Sequence, residues 1–195
     1  MTRLLAPAGA LLLAACSHGS GQAVVAAAPP QIDPAASFTT VKTVLQSPRC
    51  VNCHPAGDAP LQGDLSMVHA QNIQRGPEGR GRAGQECLTC HGQANLPESY
   101  GHHMPPGVST GWRLPPPATP MVFQGVAARA LCETLKDPQQ NGGKDLAALV
   151  HHVSEDPLVL WGWSPGFGRA PVPVPHAEFV AAFKSWADQG AACPQ

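Results

Sequence analysis

The sequence predicts a mainly α domain with extensive irregular loops, and three observations indicate this fold class. Proline (22) and glycine (20) together make up more than a fifth of the 195 residues, well above their average usage of about 12%. Helical periodicity is confined to four short segments, and the alternation typical of strands is essentially absent. Aromatic residues are only 5% of the chain, so side chains alone would fill a core poorly.

The four helices are predicted from their start signals and their apolar spacing. The first spans about residues 34–46, because Asp33 is a good N-cap and Pro34 suits the first helical position. The others span about 124–135, 144–153 and 176–189, and Gly190 ends the last one. Residues 92–120 and 155–175 are predicted to be proline-rich loops. The apolar faces of the first and last helices are Phe38, Val41, Val44, Leu45 and Phe179, Val180, Phe183, Trp186.

The N-terminus is predicted to be an export signal, residues 1–15. Arg3 supplies a positive charge, and the apolar stretch that follows is too short to span a bilayer. The segment Leu13-Ala14-Ala15-Cys16 resembles the lipobox of bacterial lipoproteins. This resemblance implies that Cys16 is lipidated and begins the mature chain, and Ser17 favours the outer membrane. The alternative is an ordinary secretory peptide with a chance cysteine.

Residues 16–36 are predicted to form a flexible tether, and residues 37–195 to form one domain. The tether is poor in residues that could build a core, whereas the remaining length suits a single domain. No later stretch is long and apolar enough to cross a membrane. The net charge is −1 and there is no basic run, so nucleic acid binding has no support.

The pentapeptide Cys-x-x-Cys-His occurs twice, at residues 50–54 and 87–91. This is the attachment motif of c-type haem, in which two thiols form thioether bonds and the histidine binds iron. Two copies predict a dihaem cytochrome c, with a few short helices wrapped around two covalently bound haems in a cytochrome c-like fold. The predicted thioether and proximal iron ligands are Cys50, Cys53, Cys87, Cys90, His54 and His91.

The spacing leaves the sixth ligand of each iron open. His69, fifteen residues after the first motif histidine, is predicted for the first haem, with Met67 as its competitor. For the second haem there are two alternatives. Met104 lies in a turn stiffened by prolines, and His152 borders the apolar face of the helix predicted at 144–153. Two imidazoles would lower the haem potential, and a methionine would raise it.

Two cysteines remain after the lipid site and the four thioether sites are subtracted from seven, and they are Cys132 and Cys193. Spare cysteines in an exported protein usually pair, so a disulfide between them is predicted. Separate buried thiols are the alternative.

Arg75, in a glycine-rich segment, is predicted to neutralise a haem propionate. Trp112, Trp161 and Trp163 lie near proline or glycine loops, where they would pack on porphyrin, form a docking patch or simply fill a core.

Beyond the two motifs, the chain resembles a group of small periplasmic dihaem proteins. The segments that carry the likeness are His69-x-x-Asn72-x-x-Arg75-Gly76, Trp112-Arg113-Leu114-Pro115 and Trp161-Gly162-Trp163, and it covers most of residues 38–194. Some of these proteins are labelled as subunits of isoquinoline 1-oxidoreductase, a molybdenum hydroxylase. The resemblance implies a redox partner in the periplasm and a role as electron acceptor for such an enzyme.

The function predicted from these patterns is a lipid-anchored, periplasm-facing dihaem cytochrome that carries single electrons. One alternative is a haem enzyme or sensor, peroxidase-like, with an open axial position beside His102 or His103. Another is a zinc module built on the paired cysteines. The 33 residues between the pairs exceed the usual zinc-ribbon spacing, which counts against that alternative.

Overall fold

A computed structural model of the protein describes residues 34–195. The predicted signal segment, the lipidation site Cys16, most of the tether and the N-cap Asp33 lie outside the described residues. The described residues fall within one compact unit, residues 32–195. Within this part of the chain, no helix combines the length and apolar character needed to cross a membrane.

Helices are the main regular elements of the described chain. They are α1 (Pro34–Leu45), α2 (Pro48–Val51), α3 (Ala128–Lys136), α4 (Leu146–Glu155), α5 (Pro157–Leu160) and α6 (His176–Asp188). Two small antiparallel hairpins pair β1 (Leu61–Gln62) with β2 (Met67–Val68), and β3 (Gly81–Arg82) with β4 (Gln85–Glu86). Irregular segments and single 3₁₀ turns connect them, so the predicted mostly helical, loop-rich class is confirmed.

The four predicted helices are present, and local chemistry explains where their ends differ. Helix α3 begins at Ala128 rather than near 124 because Gly125 has a positive φ of 70° and interrupts the helical path. Helix α4 begins after Asp145, whose side chain accepts from the Ala148 amide at 2.7 Å. It continues to Glu155 and stops before Pro157, since a residue before proline disfavours helical backbone.

Two expectations about the loops need correction. The segment 155–175 was predicted as loop, but α5 lies within it, started by the Asp156 cap and Pro157. Strand signals were judged absent, yet two hairpins form. Each strand is only two residues long, too short to show an alternating pattern.

The main core packs α1 against α6, with α3 and α4 around them. The Phe38 and Trp186 rings lie 5.3 Å apart at their centroids, and the predicted apolar face of α1 is buried. The face of α6 is confirmed for Phe179, Phe183 and Trp186, whereas Val180 is only half-buried. The predicted disulfide is present, joining Cys132 on α3 to Cys193 beyond α6.

Residues 52–125 form a second region, built mostly from loops and braced by hydrogen bonds to backbone carbonyls. Arg75 donates to the Pro115 carbonyl at 2.7 Å and to the Gly57 carbonyl at 3.0 Å. Gly79 has a φ of +75°, and a Cβ there would lie 2.0 Å from the Leu114 carbonyl oxygen, so only glycine fits. These contacts hold the loops that carry the second motif.

Candidate functional site

The first motif lies on α2 and the turn that follows it. Pro48 opens this helix, and the His54 amide donates to the Cys50 carbonyl at 3.1 Å, so the turn continues through the motif. His54 Nδ1 lies 2.7 Å from the Met121 carbonyl, and its ring stacks on Phe123 with centroids 3.9 Å apart. A carbonyl can only accept, so Nδ1 carries the proton and Nε2 keeps its lone pair.

Burial sets the protonation of this first motif. It lowers the pKa of His54 to about 4, with smaller effects from the Met121 carbonyl, His152 and Arg75. Burial likewise raises the pKa of Cys50 to about 11 and of Cys53 to about 12. The imidazole is therefore neutral near pH 7, as a metal ligand requires, and the thiols are protected from adventitious reaction.

The second motif repeats this arrangement in a different setting. Cys87 begins a 3₁₀ turn, and the His91 amide donates to the Cys87 carbonyl at 3.0 Å. His91 Nδ1 lies 2.8 Å from the Pro106 carbonyl, and its ring stacks on Trp112 with centroids 5.1 Å apart. Burial lowers the pKa of His91. Its Nε2 is again the nitrogen left to bind a metal.

Sequence reasoning had predicted both histidines but not what holds them. Each ring is fixed by one backbone carbonyl and one aromatic face, and these partners come from loops with no periodic pattern. Trp112 had been singled out as a porphyrin-packing residue, a docking residue or a core residue. In the structure it is buried against His91, with Trp161 edge-on at 4.8 Å.

A cavity of about 470 Å³ lies beside the second motif. Its volume is within the range of sites that hold small molecules or cofactors. Cysteines from both motifs line it: Cys53 from the first, and Cys87 and Cys90 from the second. These thiols are free rather than disulfide-bonded. Much of the remaining wall is apolar, formed by Leu61, Ile73, Trp112, Leu114 and Trp161.

His69 lines this cavity together with the motif histidine His91. The two ring centroids are 6.1 Å apart. His69 Nδ1 lies 2.8 Å from the Ala70 carbonyl, so its Nε2 is also left free. Two metal–nitrogen bonds of about 2 Å, plus about 1 Å from each nitrogen to its ring centre, give a centroid separation of about 6 Å. The spacing along the chain had predicted His69 for the first haem, but the structure brings it to the second motif.

His152 lies on α4 in the neighbourhood of the first motif, where its charge contributes to the lowered pKa of His54. Its Nδ1 is 3.2 Å from Asp156 Oδ2, and the ring is partly buried, whereas His151 is exposed. The bond from His152 is the first cause of the lowered pKa of Asp156. A carboxylate on Nδ1 is the usual support of a metal-binding histidine.

The two methionine candidates lie elsewhere. The Met104 carbonyl accepts from Arg169, and Met104 lines a smaller pocket with Leu96 and Phe167 rather than the large cavity. Met67 lies on β2 with 62% of its surface exposed. The imidazoles of His69 and His91 line the large cavity, and Met104 is not among its lining residues.

Arg75 is 2% exposed, and its guanidinium is engaged by the Pro115 and Gly57 carbonyls, with Asp58 at 3.6 Å. It braces loops and is not among the residues that line the large cavity. The arginines that do line it are Arg49 and Arg169, which sequence reasoning missed. Only the position of Arg49 next to Cys50 could have indicated it.

Among residues 34–195, no three His, Cys, Asp or Glu side chains converge as a metal-ion cluster. A haem iron takes four nitrogens from its porphyrin and needs only one or two from the protein. No family model, curated protein or solved structure matches the chain.

Proposed function

We propose that the protein is a dihaem c-type cytochrome that carries single electrons on the periplasmic side of a bacterial membrane. One observation carries the proposal. Both motif histidines are held by a carbonyl at Nδ1 and an aromatic ring at one face, which leaves Nε2 available. An axial ligand needs this tautomer and this ring orientation. A histidine that only fills space in a core needs neither, and here the same arrangement occurs at both motifs.

The residues present suit a haem. Free thiols occupy all four motif positions. Three of them, Cys53, Cys87 and Cys90, line a largely apolar cavity that also carries a few basic side chains. When bound, haem iron would supply a one-electron redox centre. The protein would set the potential through its axial ligands and the burial of each site.

The proposed axial pairs are His91 with His69, and His54 with His152. The first rests on the 6.1 Å ring separation and the shared cavity. The second is proposed from the partly buried ring of His152 and the Asp156 carboxylate on its Nδ1. Two imidazoles per iron leave no open position. This favours electron transfer over the peroxidase-like alternative, although His103 does line the cavity.

Lipid anchoring through Cys16 and an outer-membrane location remain part of the proposal. The proposed partner is a periplasmic redox protein, and the resemblance stated above makes a molybdenum hydroxylase the proposed electron donor.

The test is to express the protein in a host with haem-attachment machinery and count haems by the pyridine haemochrome method. The matched control replaces all four motif cysteines with serine. We expect two haems per chain, six-coordinate low-spin spectra and no change when carbon monoxide is added to the reduced protein. Absence of attached haem would overturn the proposal. Carbon monoxide binding by the wild type would instead support the peroxidase-like alternative.

A further inference from the structure

We infer that Arg49 and Arg169 form a carboxylate-binding wall that holds the propionates of the haem attached at the second motif. This inference rests on the proposed function and adds residues to it that the sequence did not indicate. Both arginines line the cavity that Cys87, Cys90 and His91 also line. We call this pair the arginine wall.

Arg49 is held rigidly and is only partly satisfied. Its side chain is 2% exposed and donates to Asp64 Oδ1 at 2.7 Å and to the Gly63 carbonyl at 2.8 Å. Its carbon Cζ lies 5.8 Å from the centre of the Trp161 ring. Both bonds leave from Nη2, and the other terminal nitrogen, Nη1, donates to no described residue.

Arg169 is fixed by neutral partners. Its guanidinium donates to the Met104 carbonyl at 2.6 Å and to the Pro165 carbonyl at 3.3 Å. Within the described part of the chain, Arg169 forms no ion pair with a carboxylate. These two bonds use two of the five N–H groups of a guanidinium and orient the rest.

The charges on this side of the cavity do not balance. Asp64 is the carboxylate beside the two arginines, and it already accepts from Arg49 and from the Ala170 amide at 3.3 Å. Burial, and then the charge of Arg49, lower the pKa of Arg169, whereas Asp64 raises it. The acidic residue that lines the cavity itself is Glu86, an exposed side chain that accepts from the Gly84 amide at 3.0 Å. Two cations and one neighbouring anion leave a positive charge that carboxylates would offset.

The chemistry of the cavity fits a ligand with apolar faces and acidic groups. Trp112 and Leu114 supply apolar wall, and the arginine wall supplies fork-shaped donors that match a carboxylate. A haem combines both properties. Arg75, the residue predicted from sequence for this role, donates to backbone carbonyls through its two terminal nitrogens and does not line this cavity.

The test compares Arg169→Gln with wild type in the haem-loaded, full-length protein. The control is Arg129→Gln, which changes an exposed arginine on α3 paired with Glu133.

We measure the resonance Raman band of the haem propionate bend and the two midpoint potentials between about pH 5 and about pH 8. In Arg169→Gln we expect a shifted propionate band, a lower potential for one haem and a stronger pH dependence of that potential. A carboxylate that loses its cation binds protons more tightly and stabilises ferric iron. Arg129→Gln should match wild type.

Arg169→Lys provides a second test if the Arg169→Gln variant fails to accumulate. Lysine keeps the charge but not the fork, so the propionate band should shift while the potential stays near that of wild type. Unchanged Raman and pH behaviour in a variant that retains two haems would overturn the arginine wall and leave the proposed function standing. A wild-type protein without haem would overturn the proposed function, and this inference with it.

Discussion

The two motifs have the same five-residue pattern but lie in different surroundings. Cys50 to His54 lie on α2 and the turn that follows it, and Cys50 and Val51 contact the main core. Cys87 to His91 lie in the loop region, where Cys90 is exposed and a large cavity opens beside them. Burial lowers the pKa of both histidines, and for His54 it does so to about 4.

This difference indicates how one motif can give two unequal redox centres. A less solvated site disfavours the extra positive charge of ferric iron, so the haem at the first motif should have the higher potential of the two. The second site, wider and more exposed, should be easier to reach from solvent and from a partner. In the proposed cytochrome, the motif would determine attachment, and the surroundings would determine what the attached haem does.

Removing each pair of cysteines should give the largest effect and should separate the two sites. Cys87→Ser with Cys90→Ser, and Cys50→Ser with Cys53→Ser, should each lower the haem count from two to one. The first-motif variant should also lower the thermal unfolding midpoint more, because that motif packs on the main core. The haemochrome count and circular dichroism measure both effects. Equal loss of stability in the two variants would contradict the inference that the first motif supports the main core more than the second.

The axial pairing can be tested in a chain that retains one haem. In the Cys50→Ser/Cys53→Ser background, His69→Ala should open the remaining iron to carbon monoxide, whereas His152→Ala should not. The reason is that His69 lies beside His91, and His152 lies near His54. His151→Ala, the exposed neighbour on α4, is the matched control. Carbon monoxide binding with His152→Ala instead would indicate that His152, and not His69, binds the iron of the second haem.

The disulfide should matter for the helical region more than for the loops. Cys132 and Cys193 are 61 residues apart, and a loop of this size corresponds to about 4 kcal/mol of stabilisation. Replacing both with serine should lower the free energy of unfolding by about that amount. The spectrum of the haem at the second motif should be unchanged in the folded variant. Denaturant unfolding followed by fluorescence and by haem absorbance measures the two regions separately. A change confined to the second haem would contradict the prediction that the disulfide stabilises mainly the helical region.

Asp156 should have the smallest effect, since it caps α5 and supports His152. Asp156→Ala should cost about 1–2 kcal/mol near pH 7. Asp156→Asn keeps the cap and should cost less.

The effect of Asp156 should depend on pH, because its pKa is lowered in the folded state. Its charge stabilises the fold above the unfolded-state pKa of about 3.9, and this stabilisation is lost as the pH falls through the folded-state pKa. The difference between wild type and Asp156→Ala should therefore shrink below about pH 4, as urea unfolding at several pH values would show. A difference that is constant with pH would mean that the cap alone matters.

The elements that the sequence predicted correctly are those encoded locally. The start of α4 follows from Asp145, the buried face of α1 from its 3.6-residue period, and the disulfide from the count of cysteines. Arg75 was noticed for its charge and its glycine-rich setting. Its donors are nevertheless bound by carbonyls of residues 18 and 40 positions away, which no local pattern reveals.

By itself, the sequence determined which residues form the two motifs and four of the helices, because these depend on neighbours along the chain. It also indicated the disulfide, through the count of cysteines. Only the tertiary structure decided that His69 lies beside His91, that the Met121 and Pro106 carbonyls orient the motif histidines, and that Arg49 and Arg169 share one wall. Proline- and glycine-rich loops carry these residues. Such loops have no periodicity, so their paths depend on long-range packing and on hydrogen bonds between distant backbone groups.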